Sequence, residues 1–269
     1  MAEELPAPGT SAEIAGPVQV ADALPAQCKI CGGVSPLYGV VDFHKSCIEA
    51  QGKRLPISGC PIYYQRCQSC GFLFTTAFDA WDFAAFRKFI YNDAYLVVDP
   101  DYAELRPAGN AALVASTFAA SKSSLRILDY GGGEGLLASR LRGDGFSAAT
   151  YDPFSSFHEL PEEKFDLITS FEVMEHVPAP KDAAAAMVSL LKPQGAILFS
   201  TLVQPPAFEQ VGLNWWYAGP RNGHVSLYSR QALALLFAPH GMKVASFTDV
   251  LHIAYAEIPP WAAHLKWPA

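Results

Sequence analysis

The chain has 269 residues, a formal charge of −7, and 51% hydrophobic against 17% charged residues, enough to bury a full core and carry a small appendage. Four acids (Glu3, Glu4, Glu13, Asp22) sit in the first 25 residues, which hold no Lys or Arg; the remainder is nearly neutral, with basic runs no longer than Lys53-Arg54 or Arg87-Lys88. This distribution weighs against the basic face of a nucleic-acid enzyme, and no apolar run approaches the ~18 residues of a membrane helix.

Residues 1–25 are rich in Pro, Ala and Gly and read as a disordered tail. A secretory leader would begin with basic residues and continue as an apolar stretch, whereas this segment is acidic and interrupted by Pro6, Pro8, Pro17 and Pro25. The expected location is cytoplasmic.

Residues 26–75 contain all six cysteines: Cys28, Cys31, Cys47, Cys60, Cys67 and Cys70. In Cys-x-x-Cys a tight turn aims two thiolates at one ion, and two such knuckles complete the tetrahedral shell that zinc accepts. The expected Zn2+ ligands are therefore Cys28, Cys31, Cys67 and Cys70, each knuckle being followed by glycine (Gly32, Gly71). A competing set adds His44 and Cys47 to the first knuckle, and disulfides are disfavoured in the cytoplasm. A closed four-sulfur shell has no open coordination position, so its role is structural or in substrate docking.

Residues 76–120 read as a helical connector rich in aromatics, of which Tyr91, Tyr95, Tyr102 and Arg106 are candidates to cover a ligand bound in the next domain. From 121 onward the pattern is doubly wound α/β. Leu125 to Asp129 is an apolar strand, Tyr130 to Gly135 (YGGGEG) a glycine-rich turn, and Leu136 to Arg142 a helix whose start offers free N–H groups to a ligand. The next strand, Ala148 to Tyr151, ends at Asp152, 23 residues after Asp129, where an acid grips a ribose diol. Strands follow at Phe165 to Ser170 and Gly195 to Thr201, with a helix over Lys181 to Lys192 between them.

Leu136 stands where a dinucleotide turn requires glycine, which argues against NAD. The pattern Asp129-x-Gly131-x-Gly133-x-Gly135, with Asp152, FDLITSFEVMEHV (165–177) and LLKPQGAILFST (190–201), resembles class I S-adenosylmethionine-dependent methyltransferases over roughly residues 125–248. The resemblance implies an enzyme that uses S-adenosylmethionine and a Rossmann-like, seven-stranded sheet ending in a hairpin strand pair, a place that Met242 to Thr248 followed by Val250 to Ala256 fits. It places Asp129, Gly131 and Gly133 at the cofactor's methionine part, Asp152 at its ribose, and the stretch Ser170, Phe171 and Glu172 at the reaction pocket, with Glu134 a further cofactor-binding candidate. The span from Asp152 to Phe165 is too short for the helix and strand that the family usually fits there, and Pro153 and Phe154 are the substitutes for its adenine contacts. In parts the chain also looks like sugar C-methyltransferases, which share a zinc module, and like ubiquinone-pathway O-methyltransferases, in which two glutamates and a histidine hold a metal.

Methyl transfer needs an in-line approach, with a base where the acceptor keeps its proton. Glu172, Glu175 and His176 form one candidate cluster, as base or as ligands for a divalent cation such as Mg2+; Glu172 and His176 would share a face if the segment is helical. The second candidate is the polar and aromatic loop 213–228, where His224 is the expected base, Arg221 an anion holder, and Trp215, Trp216 and Tyr217 stacking walls for the acceptor. His158, His240, His252 and His264 have no partner pattern around them. The expected function is methyl transfer to a small-molecule acceptor such as a sugar or other biosynthetic metabolite, without nucleic acid or membrane as partner. An RNA or protein methyltransferase that docks its substrate on the zinc module, and a cofactor-binding module without turnover, are the alternatives.

Overall fold

The computed structural model describes residues 25–267, so the expected tail lies, but for Pro25, outside the described residues. At the N-terminal side β1 (Ala26–Gln27) pairs antiparallel with β2 (Val34–Ser35) and closes the first cysteine knuckle between them. Next come β3 (Leu37–Asp42) and β4 (Pro61–Arg66), an antiparallel pair, and β5 (Leu73–Phe74), which returns along β4 after the second knuckle. The fourth strand of this sheet comes from far along the chain, Ser226–Leu227, laid antiparallel on β5. The module's sheet therefore does not close within residues 26–75, the bounds its cysteines had marked.

Three helices form the connector: α1 (Phe83–Phe89), α2 (Tyr95–Val98) and α3 (Leu105–Thr117). Asp82 caps α1 by accepting from the Ala85 N–H at 2.8 Å, and Phe86 packs edge-on against Trp81 beside Phe78. These aromatics share one core with Tyr64, Leu73, Trp215, Tyr217 and Leu227, so connector, module and the late loop are packed as one body.

The larger sheet runs through β6 (Arg126–Tyr130), α4 (Leu136–Gly143), β7 (Ser147–Tyr151), β8 (Phe165–Phe171), α5 (Pro180–Ser189), β9 (Leu191–Ser200), the short β10 (Ser226–Leu227) of the other sheet, α6 (Arg230–Phe237), β11 (Lys243–Ser246) and β12 (Leu251–Tyr255). Its order is β11-β12-β9-β8-β6-β7, with β6 to β9 parallel and the β11–β12 hairpin antiparallel at the far edge. The central strands are buried on both faces, which is why Ile127-Leu128, Leu167-Ile168 and Ile197-Leu198-Phe199 are continuous apolar runs. The hairpin, the alternation and the mixed α/β class match expectation. The sheet has six strands rather than seven, because Pro153 to Lys164 joins β7 to β8 as turns and bends without space for a helix and strand, and β7 becomes an edge. Among the described residues no helix is long and apolar enough to cross a membrane.

Candidate functional site

Strand β6 delivers Asp129 to the glycine turn, where it faces inward: it is 3% exposed, and its Oδ1 accepts from the Thr169 hydroxyl at 2.9 Å. Burial, opposed by that hydrogen bond, lifts its pKa from 3.8 to about 7. Gly131 and Gly133 adopt φ of 77° and 55°, the left-handed region that glycine enters without strain. A Cβ on Gly131 would stand 2.3 Å from Val173 Cγ2, whereas one on Gly133 would meet nothing within 4 Å. The turn is thus packed on its inner side and open at Gly133. Asp152, at the end of β7, accepts from the Gly133 N–H at 2.8 Å and the Phe154 N–H at 2.7 Å, so this acid pins the turn to the next strand. Glu134 is exposed, and Pro153 and Phe171 are half-buried. The Phe154 ring is flanked by Phe83 and Tyr91 at centroid distances of 4.9 and 5.5 Å, tying the Asp152 loop to the connector.

Parallel strands β6 and β8 are neighbours, with Asp129 opposite Thr169, so the segment after β8 emerges beside the glycine turn. There Glu172 takes φ 56°, the one non-glycine residue with positive φ among those described, the kind of backbone strain that collects at functional sites. The segment is a single 3-10 turn, Met174–His176. The face expected to join Glu172 and His176 does not form, because Glu172 precedes the turn and its carboxylate instead accepts from the Ser200 hydroxyl at 2.7 Å.

His176 meets a partner that lies far away in the chain. The imidazoles of His176 and His224 stand edge to face with centroids 4.9 Å apart, and donor atoms of Glu175, His176 and His224 all lie within 4.8 Å of one another. His224 Nδ1 donates to the Tyr217 carbonyl at 2.8 Å and His176 Nδ1 to the Gly223 carbonyl at 3.2 Å. A carbonyl only accepts, so both rings carry their proton on Nδ1 and keep the lone pair at Nε2. Burial holds both imidazoles below their ordinary pKa and so neutral, and raises the carboxyls of Glu172 and Glu175. Glu175 Oε1 accepts from the Tyr217 hydroxyl at 2.6 Å, and Oε2 is buried without a hydrogen-bond partner. Cys47 is the third neighbour, its Sγ 3.6 Å from His224 Nδ1; burial pushes this thiol up, and it stays neutral.

The other expected acceptor residues divide. Tyr91, Tyr95 and Tyr102 form an edge-to-face ladder, with Tyr91 6.1 Å from His176, and so lie over the cluster from the connector side. Arg106 is paired with Asp99 at 2.7 Å. Arg221 is turned inward, donating to the Ile90 carbonyl at 3.0 Å and Asn92 Oδ1 at 3.1 Å; those nitrogens lock the loop to the connector and do not present an anion site. Trp215 is 5% exposed and packs on Phe208, Tyr217 is committed to Glu175, and only Trp216, at 38%, keeps a free face. Tyr64 escaped sequence reasoning altogether: fully buried on β4, it donates to the His224 carbonyl at 2.6 Å, a pairing 160 residues apart that no local spacing announces.

The two knuckles converge. Sγ of Cys28 lies 3.6 Å from that of Cys70, and Cys31 Sγ lies 3.4 Å from Cys67 Sγ, with all four within 4.8 Å. Zinc–sulfur bonds of ~2.3 Å in a tetrahedron require edges of roughly 3.8 Å, so the four sulfurs fit one zinc ion. The competing set does not assemble: His44 Nδ1 is bonded to the Pro56 carbonyl at 2.7 Å, and Cys47 faces His224.

A mostly parallel sheet with a glycine turn after its first strand, a carboxylate after its second and a polar cluster after its third defines a nucleoside-cofactor domain of the class I methyltransferase type. The sequence model of the Methyltransferase domain family matches residues 102–246, and the chain belongs to that family. Among curated proteins it is 37% identical over 112 residues to the ubiquinone biosynthesis O-methyltransferase of Nitrosococcus oceani, covering 32% of this chain and 48% of that one. It is 33% identical over 106 residues to the same-named enzyme of Alkalilimnicola ehrlichii, covering 30% and 43%. The chain thus spans less than half the length of these relatives. Solved structures similar to it include the 1,6-didemethyltoxoflavin-N1-methyltransferase of Burkholderia thailandensis (15% identity, TM-score 0.44, covering 58% of this chain and 80% of that one). Another is the magnesium protoporphyrin IX methyltransferase of Synechocystis PCC 6803 (14%, 0.41, 57% and 87%).

The glycine turn yields two expected outcomes. Gly133→Ala meets no neighbouring atom, so it should fold with a penalty of about 1–2 kcal/mol for a left-handed alanine, yet bind S-adenosylhomocysteine at least tenfold more weakly in a calorimetric titration. Asp129, with its folded pKa raised to about 7, contributes stability at acid pH that is lost as pH rises through that value. Asp129→Asn should therefore raise Tm at pH 8, by about 2–4 °C per kcal/mol relieved, and change it little at pH 4.

Proposed function

We propose that this chain transfers the methyl group of S-adenosylmethionine to an oxygen, or another protonated nucleophile, of a small-molecule acceptor. The observation that carries this reading is the pair of neutral imidazoles, His176 and His224, beside the glycine turn, each with its proton fixed on Nδ1 by a backbone carbonyl. The name of the curated relatives, O-methyltransferases, supports an oxygen nucleophile.

When bound, S-adenosylmethionine supplies a methyl group on a positively charged sulfur. Asp152 would take the ribose hydroxyls with the lone pairs left by its two backbone bonds, and Gly133 would let the cofactor approach the turn. His224 Nε2 would accept the acceptor's proton, with His176 as the second imidazole of the pair. Glu175, held by Tyr217, would steady the imidazolium that forms, in a pocket dry enough to strengthen that interaction. Tyr91, Tyr102 and Trp216 would frame an acceptor with a ring or sugar face. The cluster offers two nitrogens and one carboxylate, whereas Mg2+ demands a near-octahedral set of oxygens. The trio is therefore read as proton-handling, the first of the two roles expected for the Glu172, Glu175 and His176 cluster, rather than as the divalent-cation site that was the second.

Cys28, Cys31, Cys67 and Cys70 would hold a structural Zn2+. The nearly neutral body favours a small acceptor over nucleic acid.

Calorimetric titration with S-adenosylmethionine and S-adenosylhomocysteine tests the cofactor reading. Wild type should bind both and Asp152→Ala should lose about 10- to 100-fold, the worth of a charged hydrogen bond; wild-type protein that binds neither refutes it. The base must be neutral to work and its pKa is lowered by burial, so kcat/KM for any acceptor found should be flat above pH 7. Its acid limb should have a midpoint below the ordinary histidine value of about 6.5. A midpoint well above 7 would exclude His224 as the base.

A further inference from the structure

The loop that carries His224 is held from the N-terminal side as well as by the segments that follow β8 and β9. Ser226 and Leu227 of β10 pair with Phe74 and Leu73 of β5, which directly follows the second cysteine knuckle. The Thr75 N–H donates to the Val225 carbonyl at 3.1 Å, and Tyr64 on β4 donates to the carbonyl of His224 itself at 2.6 Å. The knuckle takes part directly: the Ser229 hydroxyl donates to the Cys70 carbonyl at 2.5 Å, and the Gln204 amide to the Gly71 carbonyl at 2.7 Å. From the same module the Cys47 N–H donates to Asn222 Oδ1 at 2.8 Å and the Lys45 ammonium to the Trp215 carbonyl at 2.9 Å.

The other edge of β10 reaches the second half of the cluster. The Val225 N–H donates to the Glu175 carbonyl at 2.8 Å, the Ser226 hydroxyl to the Val177 carbonyl at 2.7 Å, and the Tyr228 hydroxyl to the Met174 carbonyl at 2.9 Å. The glycine turn and Asp152, by contrast, hold each other within the larger sheet. The knuckle cysteines Cys28, Cys67 and Cys70 also pack in the larger sheet's core with Leu128, Ile168 and Phe199, so the two frames meet there while their hydrogen bonds serve different parts of the site.

We infer that the four-cysteine module is the mould of the reaction cluster: through Tyr64, the second knuckle and β10 it places His224 and the Glu175–His176 turn. Metal at the cysteines thereby sets the geometry of the proton-handling groups and leaves cofactor affinity to the other sheet. Tyr64 acts through His224 and is a positioning residue. The inference rests on the reading of His224 as a reacting-pocket histidine, and it makes the module more than a docking platform.

The test uses the full chain with 13C-labelled histidine, His224 being assigned by the loss of its signal in His224→Gln, alongside zinc analysis and S-adenosylhomocysteine calorimetry. Tyr64→Phe removes a single hydroxyl. It should shift the His224 imidazole signal while those of His158, His240 and His264 stay fixed, with one zinc per chain retained and the S-adenosylhomocysteine Kd within about twofold, a difference well under the 1.4 kcal/mol of a tenfold change. Removal of zinc by a chelator should displace the His224 and His176 signals together, again with Kd little changed. A His224 signal indifferent to both treatments overturns the inference, as does a cofactor affinity that collapses in step with the signal, since the module would then merely hold up the whole fold. Failure of wild type to bind S-adenosylhomocysteine falls on the cofactor reading instead, and the histidine signals still decide whether the module is the mould.

Discussion

Two residues of antiparallel pairing, Ser226–Leu227 on Leu73–Phe74, lay the late loop of this molecule on its cysteine module. Without that pairing the larger sheet would still bring Asp129, the glycine turn and Asp152 together, because those residues sit on adjacent parallel strands joined by one helix. The histidines would have no such guarantee. His176 hangs from a strained turn after β8, His224 from a loop with little regular structure, and the distance between them is fixed by a strand shared with the cysteine module. Backbone groups buried in the loop need partners, and the module supplies them.

The cluster so assembled is built against the preference of its own groups for water. Desolvation drives His176 and His224 toward the neutral form and Glu175 toward protonation, at a cost in stability that other contacts must offset. The offset is visible in the bonds that remain: each Nδ1 on a carbonyl and Glu175 on the Tyr217 hydroxyl. The same logic applies at Asp129, whose buried carboxyl is steadied by Thr169 beneath a turn that Asp152 and the Tyr151 carbonyl also hold. Polar groups held in a dry, preorganised arrangement suit chemistry that moves a proton and neutralises a positive sulfur.

Legibility tracked sequence distance. The glycine turn, Asp152 and the strands around them were readable because every element of that unit lies within a few residues of its neighbour and its side-chain chemistry is dictated locally by φ, by spacing and by alternation. The paired Cys-x-x-Cys-Gly knuckles were readable for the same reason, since each half is a local turn and only their meeting is non-local. Arg221 and Tyr217 were misjudged because a loop's composition tells which groups it holds but not which way they face; the first donates to Ile90 and Asn92 and the second to Glu175. Glu172 and His176 were joined on a helix that Glu172's positive φ does not allow to start there.

The sequence by itself determined the methyltransferase-type sheet, the glycine turn with Asp152 beside it, and the four sulfurs. These arise from short-range patterns, in which backbone geometry and one or two side chains carry the physics. Only the tertiary structure decided the histidine cluster that is proposed as the reaction centre. Tyr64, Glu175, His176, Tyr217 and His224 come from three distant stretches of chain. Their meeting depends on which sheet edge β10 chooses, and strand pairing between distant segments is set by the packing of whole layers, a quantity that no window of sequence contains.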